Sequence, residues 1–170
     1  MSSFRIALMG LAVGAALVGT STGPAAARPL DRDLSKQMVV AADPVQTLKN
    51  KATQRCLDDS GKGLRTLGCN NLSTQKWQIH VWNDQTRQLR SVGTGECLDD
   101  SSNGLRTISC WPSSNPNSKL QSWKKATYSD GTIRLQNQGT GRCLDDSSKG
   151  LRTMPCWSDS SKYRAYQSWS

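Results

Sequence analysis

Three copies of one phrase constrain this chain more than anything else in it. CLDDS-GKGLRT-LGC starts at Cys56, CLDDS-SNGLRT-ISC at Cys97 and CLDDS-SKGLRT-MPC at Cys143. Each copy is followed by a Gln-x-Trp, at Gln75-Lys76-Trp77, Gln121-Ser122-Trp123 and Gln167-Ser168-Trp169, and these tryptophans are 46 residues apart. Self-similarity at such a period means that one supersecondary unit is used three times.

The cysteines obey the same repeat. Six cysteines allow fifteen pairings in principle, but here they fall as Cys56 and Cys69, Cys97 and Cys110, Cys143 and Cys156, always 13 apart, so the repeat selects one disulfide within each unit. Closing such a loop stabilises a unit by about 3 kcal/mol in the chain-entropy picture. A metal site is not expected, since no Cys-x-x-Cys is present and His80 is the only histidine. No cofactor is implied.

The N-terminus has the signature of an exported chain, and export favours oxidation of the six thiols. Arg5 is followed by an apolar run from Ile6 to Val18 and then by Ala25-Ala26-Ala27, an A-x-A-type cleavage site. Residues 1–27 therefore read as a signal peptide, too short for a membrane span. Residues 28–44 read as an N-terminal arm with a short strand at Met38–Ala41, and residues 45–170 as one repeated domain. The mature protein is expected to be secreted and monomeric, without membrane insertion.

Helical periodicity is missing from the body. Short apolar pairs separated by Gly, Asn, Asp and Ser predict an all-β domain of many short strands and tight turns. Gly63, Gly104 and Gly150 are placed to supply a positive φ at one such turn. With a single Phe in the chain, the core must rest on Trp77, Trp123 and Trp169, meeting around a threefold axis, and on leucines such as Leu48, Leu89 and Leu135. The three glutamines are expected to hold nearby backbone.

Cys-Leu-Asp, a second Cys and Gln-x-Trp, three times over, resembles the ricin-B-type lectin family across residues 45–170. The CLDDS…GLRT wording looks like the small exported trefoil proteins of actinobacteria within it. The resemblance implies a β-trefoil of twelve strands with pseudo-threefold symmetry, one disulfide per repeat, and up to one shallow sugar pocket per repeat. In the family, an Asp two residues after the first Cys accepts hydrogen bonds from sugar hydroxyls; Asp58, Asp99 and Asp145 hold that position. The family's stacking aromatic, two residues before the second Cys, is replaced by Leu67, Ile108 and Met154, and the polar residue before Gln-x-Trp by Thr74, Leu120 and Tyr166.

New aromatics stand directly after the second Cys in two units only, Trp111 and Trp157, and those units carry five extra residues before the Gln. A re-sited pocket is therefore expected at Asp99 with Trp111 and at Asp145 with Trp157, because sugars need a carboxylate for hydroxyls and an aromatic face for C–H groups. The first unit, with Asn70 and the short loop, is expected to be weak or silent. The second aspartates (Asp59, Asp100, Asp146) and Arg65, Arg106 and Arg152 read as structural, each Arg pairing with an Asp of its own hairpin. For the first aspartates, structural and sugar-binding roles stay open together.

A net charge of +9 favours loose attraction to anionic polymers. The cations are spread through the repeats with no nucleic-acid motif, so nucleic acid is not an expected partner. Catalysis is not expected either: a Ser-His-Asp set would rest on His80, which occurs once in a threefold design, and adjacent aspartates on a strand face opposite ways. The sequence thus points to a secreted, non-catalytic protein that binds glycans or polysaccharides. The alternative is a trefoil scaffold that binds a protein, as an inhibitor or toxin subunit.

Overall fold

The structure is a computed structural model that describes residues 42–170. The leader and the arm through residue 41, with the strand expected there, lie outside the described residues.

Each CLDDS…GLRT phrase is a β-hairpin: β2 (Cys56–Ser60) with β3 (Gly63–Leu67), β6 (Cys97–Ser101) with β7 (Gly104–Ile108), and β10 (Cys143–Ser147) with β11 (Gly150–Met154). The turn is written into Ser-x-x-Gly. The hydroxyls of Ser60, Ser101 and Ser147 accept the amide of the residue two further on, at 3.3, 3.1 and 3.2 Å. Gly63, Gly104 and Gly150 then take φ of +88°, +84° and +86°, as expected of residues free of a Cβ.

The other strands form the barrel. They are β1 (Val45–Thr47), β4 (Lys76–Val81), β5 (Arg87–Ser91), β8 (Trp123–Thr127) and β9 (Ile133–Asn137), joined antiparallel in the order β1-β4-β5-β8-β9. Eleven strands are thus present among the described residues, against twelve expected. The twelfth place is filled by Trp169, which bridges Asn50 on one side and Ile133 on the other. Reciprocal backbone bonds between Ile133 and Trp169 (2.7 and 2.9 Å) and between Lys49 and Ser170 (2.7 and 2.9 Å) close the ring. That position forms isolated bridges where β4 and β8 run on as strands.

Threefold equivalence extends through the core. Trp77, Trp123 and Trp169 are fully buried in one cluster with Leu57, Leu98 and Leu144, and Leu48, Leu89 and Leu135 pack into it from the barrel. Each indole N–H donates at 3.1 Å to the carbonyl of Leu57, Leu98 or Leu144, so the large apolar rings carry no unsatisfied polar group. The glutamine two residues before each Trp clasps the loop around the second cysteine. Gln121 accepts from the Trp111 amide (2.8 Å) and donates to the Ser109 carbonyl (3.0 Å); Gln167 does the same with Trp157 (2.9 Å) and Pro155 (3.1 Å). A short 3-10 turn precedes each of these tryptophans: Ser73–Gln75, Ser118–Gln121 and Arg164–Gln167. The disulfides pair as the repeat dictates, Cys56–Cys69, Cys97–Cys110 and Cys143–Cys156.

The second Asp of each hairpin fastens its repeat to the next. Asp59 accepts from Thr94 and Thr107 of the second repeat, Asp100 from Thr140 and Thr153 of the third, and Asp146 from Thr53 and Thr66 of the first. These three links run once around the pseudo-threefold axis. All three carboxylates are buried, where an unpaired charge is costly and a fully bonded one specifies a single arrangement. Asp100 is the strongest link, because Arg142 also grips it through Nε (3.0 Å) and Nη2 (2.6 Å).

Candidate functional site

Successive residues on a strand face opposite ways, so while Asp59, Asp100 and Asp146 turn to the neighbouring repeat, the first aspartates turn to their own hairpin. There each meets the Arg directly across the ladder: Asp58 with Arg65, Asp99 with Arg106 and Asp145 with Arg152. The Nε–Oδ1 distances are 3.5, 3.0 and 3.1 Å. The aspartates are almost wholly buried while the arginines keep about a third of their side-chain surface in water, at 34, 37 and 32%.

What completes each carboxylate differs between repeats. In the first, Thr74 donates its hydroxyl to Asp58 Oδ2 at 3.0 Å, and Oδ1, 3.5 Å from Arg65 Nε, is the buried oxygen without a hydrogen bond. In the second and third, Leu120 and Tyr166 hold the position of Thr74, and Asp99 Oδ2 and Asp145 Oδ2 are buried with no donor. Burial pushes both carboxyls above the ordinary aspartate value, against the hydrogen bond and charge of Arg106 and Arg152. For Asp145, Gln167 and the Trp157 indole pull in the same direction as Arg152.

Asp145 and Trp157 line one open cleft of about 410 Å³, with Ser147, Lys149, Arg152 and Met154 as floor and flank. Two further aromatics complete the wall, Tyr163 and Tyr166. Trp157 and Tyr163 have ring centroids 5.3 Å apart, and Tyr163 stacks on Tyr166 at 6.3 Å with 21° between planes. Tyr163 is 42% exposed, which leaves a large ring available at the surface. The backbone of Trp157 is pinned by Gln167, so the fold sets the position of this ring from behind.

Trp111 is pinned in the same way by Gln121, and its carbonyl takes a 2.9 Å bond from Gln88. The equivalents of Tyr163 and Tyr166 in that repeat are Asn117 and Leu120, so the aromatic wall is not repeated there. Asn70 stands at the equivalent position in the first repeat and its amide donates to Gln75. Tyr163 went unread in the sequence because it lies outside the repeated phrase. The usable signal was that two of the chain's three tyrosines fall in the extra segment of one repeat.

His80 Nδ1 lies 3.0 Å from Asp43, and the ring meets Trp82 edge-on at 4.3 Å.

Residues 73–153 match the family described as ricin-type β-trefoil lectin domain-like. No curated protein sequence matches the chain. Among solved structures the fold is similar to a designed threefold-symmetric protein, ThreeFoil, at 18% identity and TM-score 0.59, covering 74% of this chain and 95% of that one. It is also similar to the Macrolepiota procera ricin B-like lectin, solved with lactose, at 16% identity and TM-score 0.60, covering 77% of this chain and 96% of the lectin. A third match is an endo-β-galactosidase from Clostridium perfringens that releases GlcNAcα1-4Gal, at 16% identity and TM-score 0.61 over 74% of this chain. The matched region spans 31% of that enzyme's length. Residues 73–153 thus carry the sequence match to the ricin-type β-trefoil lectin domain-like family, and the described body has the β-trefoil fold.

Proposed function

We propose that this chain is a secreted, non-catalytic glycan-binding protein whose principal sugar site is the third-repeat cleft. The observation that carries this reading is the convergence on one cleft of Asp145, Arg152 and the rings of Trp157, Tyr163 and Tyr166. The rings cover the C–H face of the pyranose, and the accessible polar groups of the cleft, Arg152 and Lys149 among them, meet its hydroxyls. The second repeat offers a lesser site at Asp99 and Trp111. The first is weak or silent, because its loop is short and no aromatic stands at Asn70. Shallow sites bind weakly one at a time, so two on one chain favour a repetitive polysaccharide. The three disulfides suit an oxidising compartment, and export predicts a mature N-terminus at Arg28.

A glycan and polysaccharide screen tests the reading, run beside Trp157→Ala and Asp145→Ala variants whose folding is checked by circular dichroism. Binding that is lost in folded variants supports it. Binding retained in both moves the site elsewhere. Saturable binding to a single protein, indifferent to added sugar, would favour the protein-binding scaffold instead.

A further inference from the structure

We infer that the third-repeat cleft selects a sugar carrying an anionic substituent, a uronate or phosphorylated residue of an acidic polysaccharide. The inference rests on the glycan-binding reading above and deepens it. Its basis is an excess of cations over what the cleft's own carboxylate uses. Asp145 takes one donor from Arg152, the Nε. Among the described residues, the terminal nitrogens of Arg152 and the Lys149 ammonium reach no protein acceptor, and both side chains line the cleft. A guanidinium fork with free ends is matched to a planar carboxylate or a phosphate, and it takes both oxygens at once. Lys162 adds a third cation at the rim, 5.0 Å from the centre of the Tyr163 ring.

Comparison between repeats shows that Lys162 arrives together with the aromatic wall, while Lys149 has a counterpart in Lys62 of the first repeat and only in the third stands beside the rings. Where the second repeat has Asn103, Pro116, Asn117 and Leu120, the third has Lys149, Lys162, Tyr163 and Tyr166. The fold needs none of the four, since the second repeat builds the same hairpin, disulfide and clasp without them. A neutral hexose would use the rings but offer two ammonium groups and a guanidinium end only hydroxyls. An acidic sugar offers them an anion. The remaining charge works in the same sense, because a net +9 raises the local concentration of a polyanion around the chain.

The test uses the full chain with its disulfides intact, in calorimetric or fluorescence titrations at fixed ionic strength. The probes are polygalacturonate, the same polymer with its carboxyls reduced to alcohols, and a poly(glycerol phosphate) bearing sugar substituents. The two acidic polymers distinguish carboxylate from phosphate, and at least one is expected to bind on the order of tenfold more tightly than the reduced polymer. Lys149→Gln should weaken binding of the acidic polymers several-fold, and by a larger factor than it weakens binding of the reduced polymer. Lys124→Gln, an equal change of charge on exposed β8, should have little effect. Equal binding of reduced and acidic polymer, or equal losses in the two lysine variants, overturns the inference while the glycan-binding reading stands. Failure of every polymer, neutral and acidic, removes both.

Discussion

Replacing Asp100 by Ala should damage this fold more than the same change at its two threefold equivalents, although the three residues occupy one position of the repeat. Asp100 is fully buried and accepts from Thr140, from Thr153 at 2.8 Å, and from Arg142 through two nitrogens at 3.0 and 2.6 Å. Removing one partner of a buried ion pair costs ~3–5 kcal/mol. The Arg142 side chain keeps 37% exposure, so water resolvates part of it and the lower end, about 3 kcal/mol, applies. Two stranded threonine hydroxyls add about 1 kcal/mol. The sum, about 4 kcal/mol, lowers the Tm of a domain of this size by roughly 15 °C. Asp59 and Asp146 each hold two threonines and no cation, so their loss should cost about 1–2 kcal/mol. Urea unfolding with disulfides intact would measure all three, with the slope checked for constancy. A cycle with Arg142→Ala should give a coupling of about 2 kcal/mol. If Asp100→Ala costs no more than Asp59→Ala, or the coupling is absent, the inter-repeat links do not hold the trefoil as argued.

Three further outcomes are expected. Each disulfide closes a loop worth about 3 kcal/mol, so full reduction should remove most of a typical domain's stability; an unchanged melting temperature in reductant would contradict this. Burial holds Asp99 and Asp145 above the usual 3.8 in the fold. Between 3.8 and that raised value the native state binds more protons than the unfolded one, so their contribution to stability falls as pH rises and returns as pH is lowered. An Asp99→Asn, Asp145→Asn variant should therefore compare better with wild type at pH 7 than at pH 4, and a difference independent of pH would refute the shift. Gln121→Ala removes the clasp on Trp111 and Ser109 and leaves a part-buried amide and carbonyl without their protein partner. It should cost about 1–3 kcal/mol, read by urea unfolding, and a loss below about 0.5 kcal/mol would make the clasp incidental.

Features confined to one repeat were legible because the sequence states them locally. The disulfide pairing follows from cysteines 13 apart in each phrase, the hairpin turn from Ser-x-x-Gly, and the buried tryptophans from Gln-x-Trp. Features between repeats were not. Asp146 meets Thr53 and Thr66 from 93 and 80 residues away, and nothing in CLDDS names a threonine in another copy as its partner. The pairing of each Arg with the first Asp follows from hairpin register: Arg152 lies across the ladder from Asp145, and the second aspartate falls opposite a leucine. The candidate site was half legible. Asp145 and Trp157 come from the repeat and its one variable position, whereas Tyr163 and Lys149 acquire meaning only when the cleft gathers them. In the first repeat, Thr74 and the short loop already marked a difference, and its hydrogen bond to Asp58 gives that difference a physical form.

The most direct test of the central claim is an indole ¹⁵N–¹H titration of the full chain with the polysaccharide that a screen identifies. Six tryptophans give six reporters, three of them fully buried in the core at Trp77, Trp123 and Trp169. The account predicts that the Trp157 resonance shifts most, that Trp111 shifts less, and that the three core indoles stay in place. A saturating titration in which Trp157 does not move would contradict it, whatever affinity is measured.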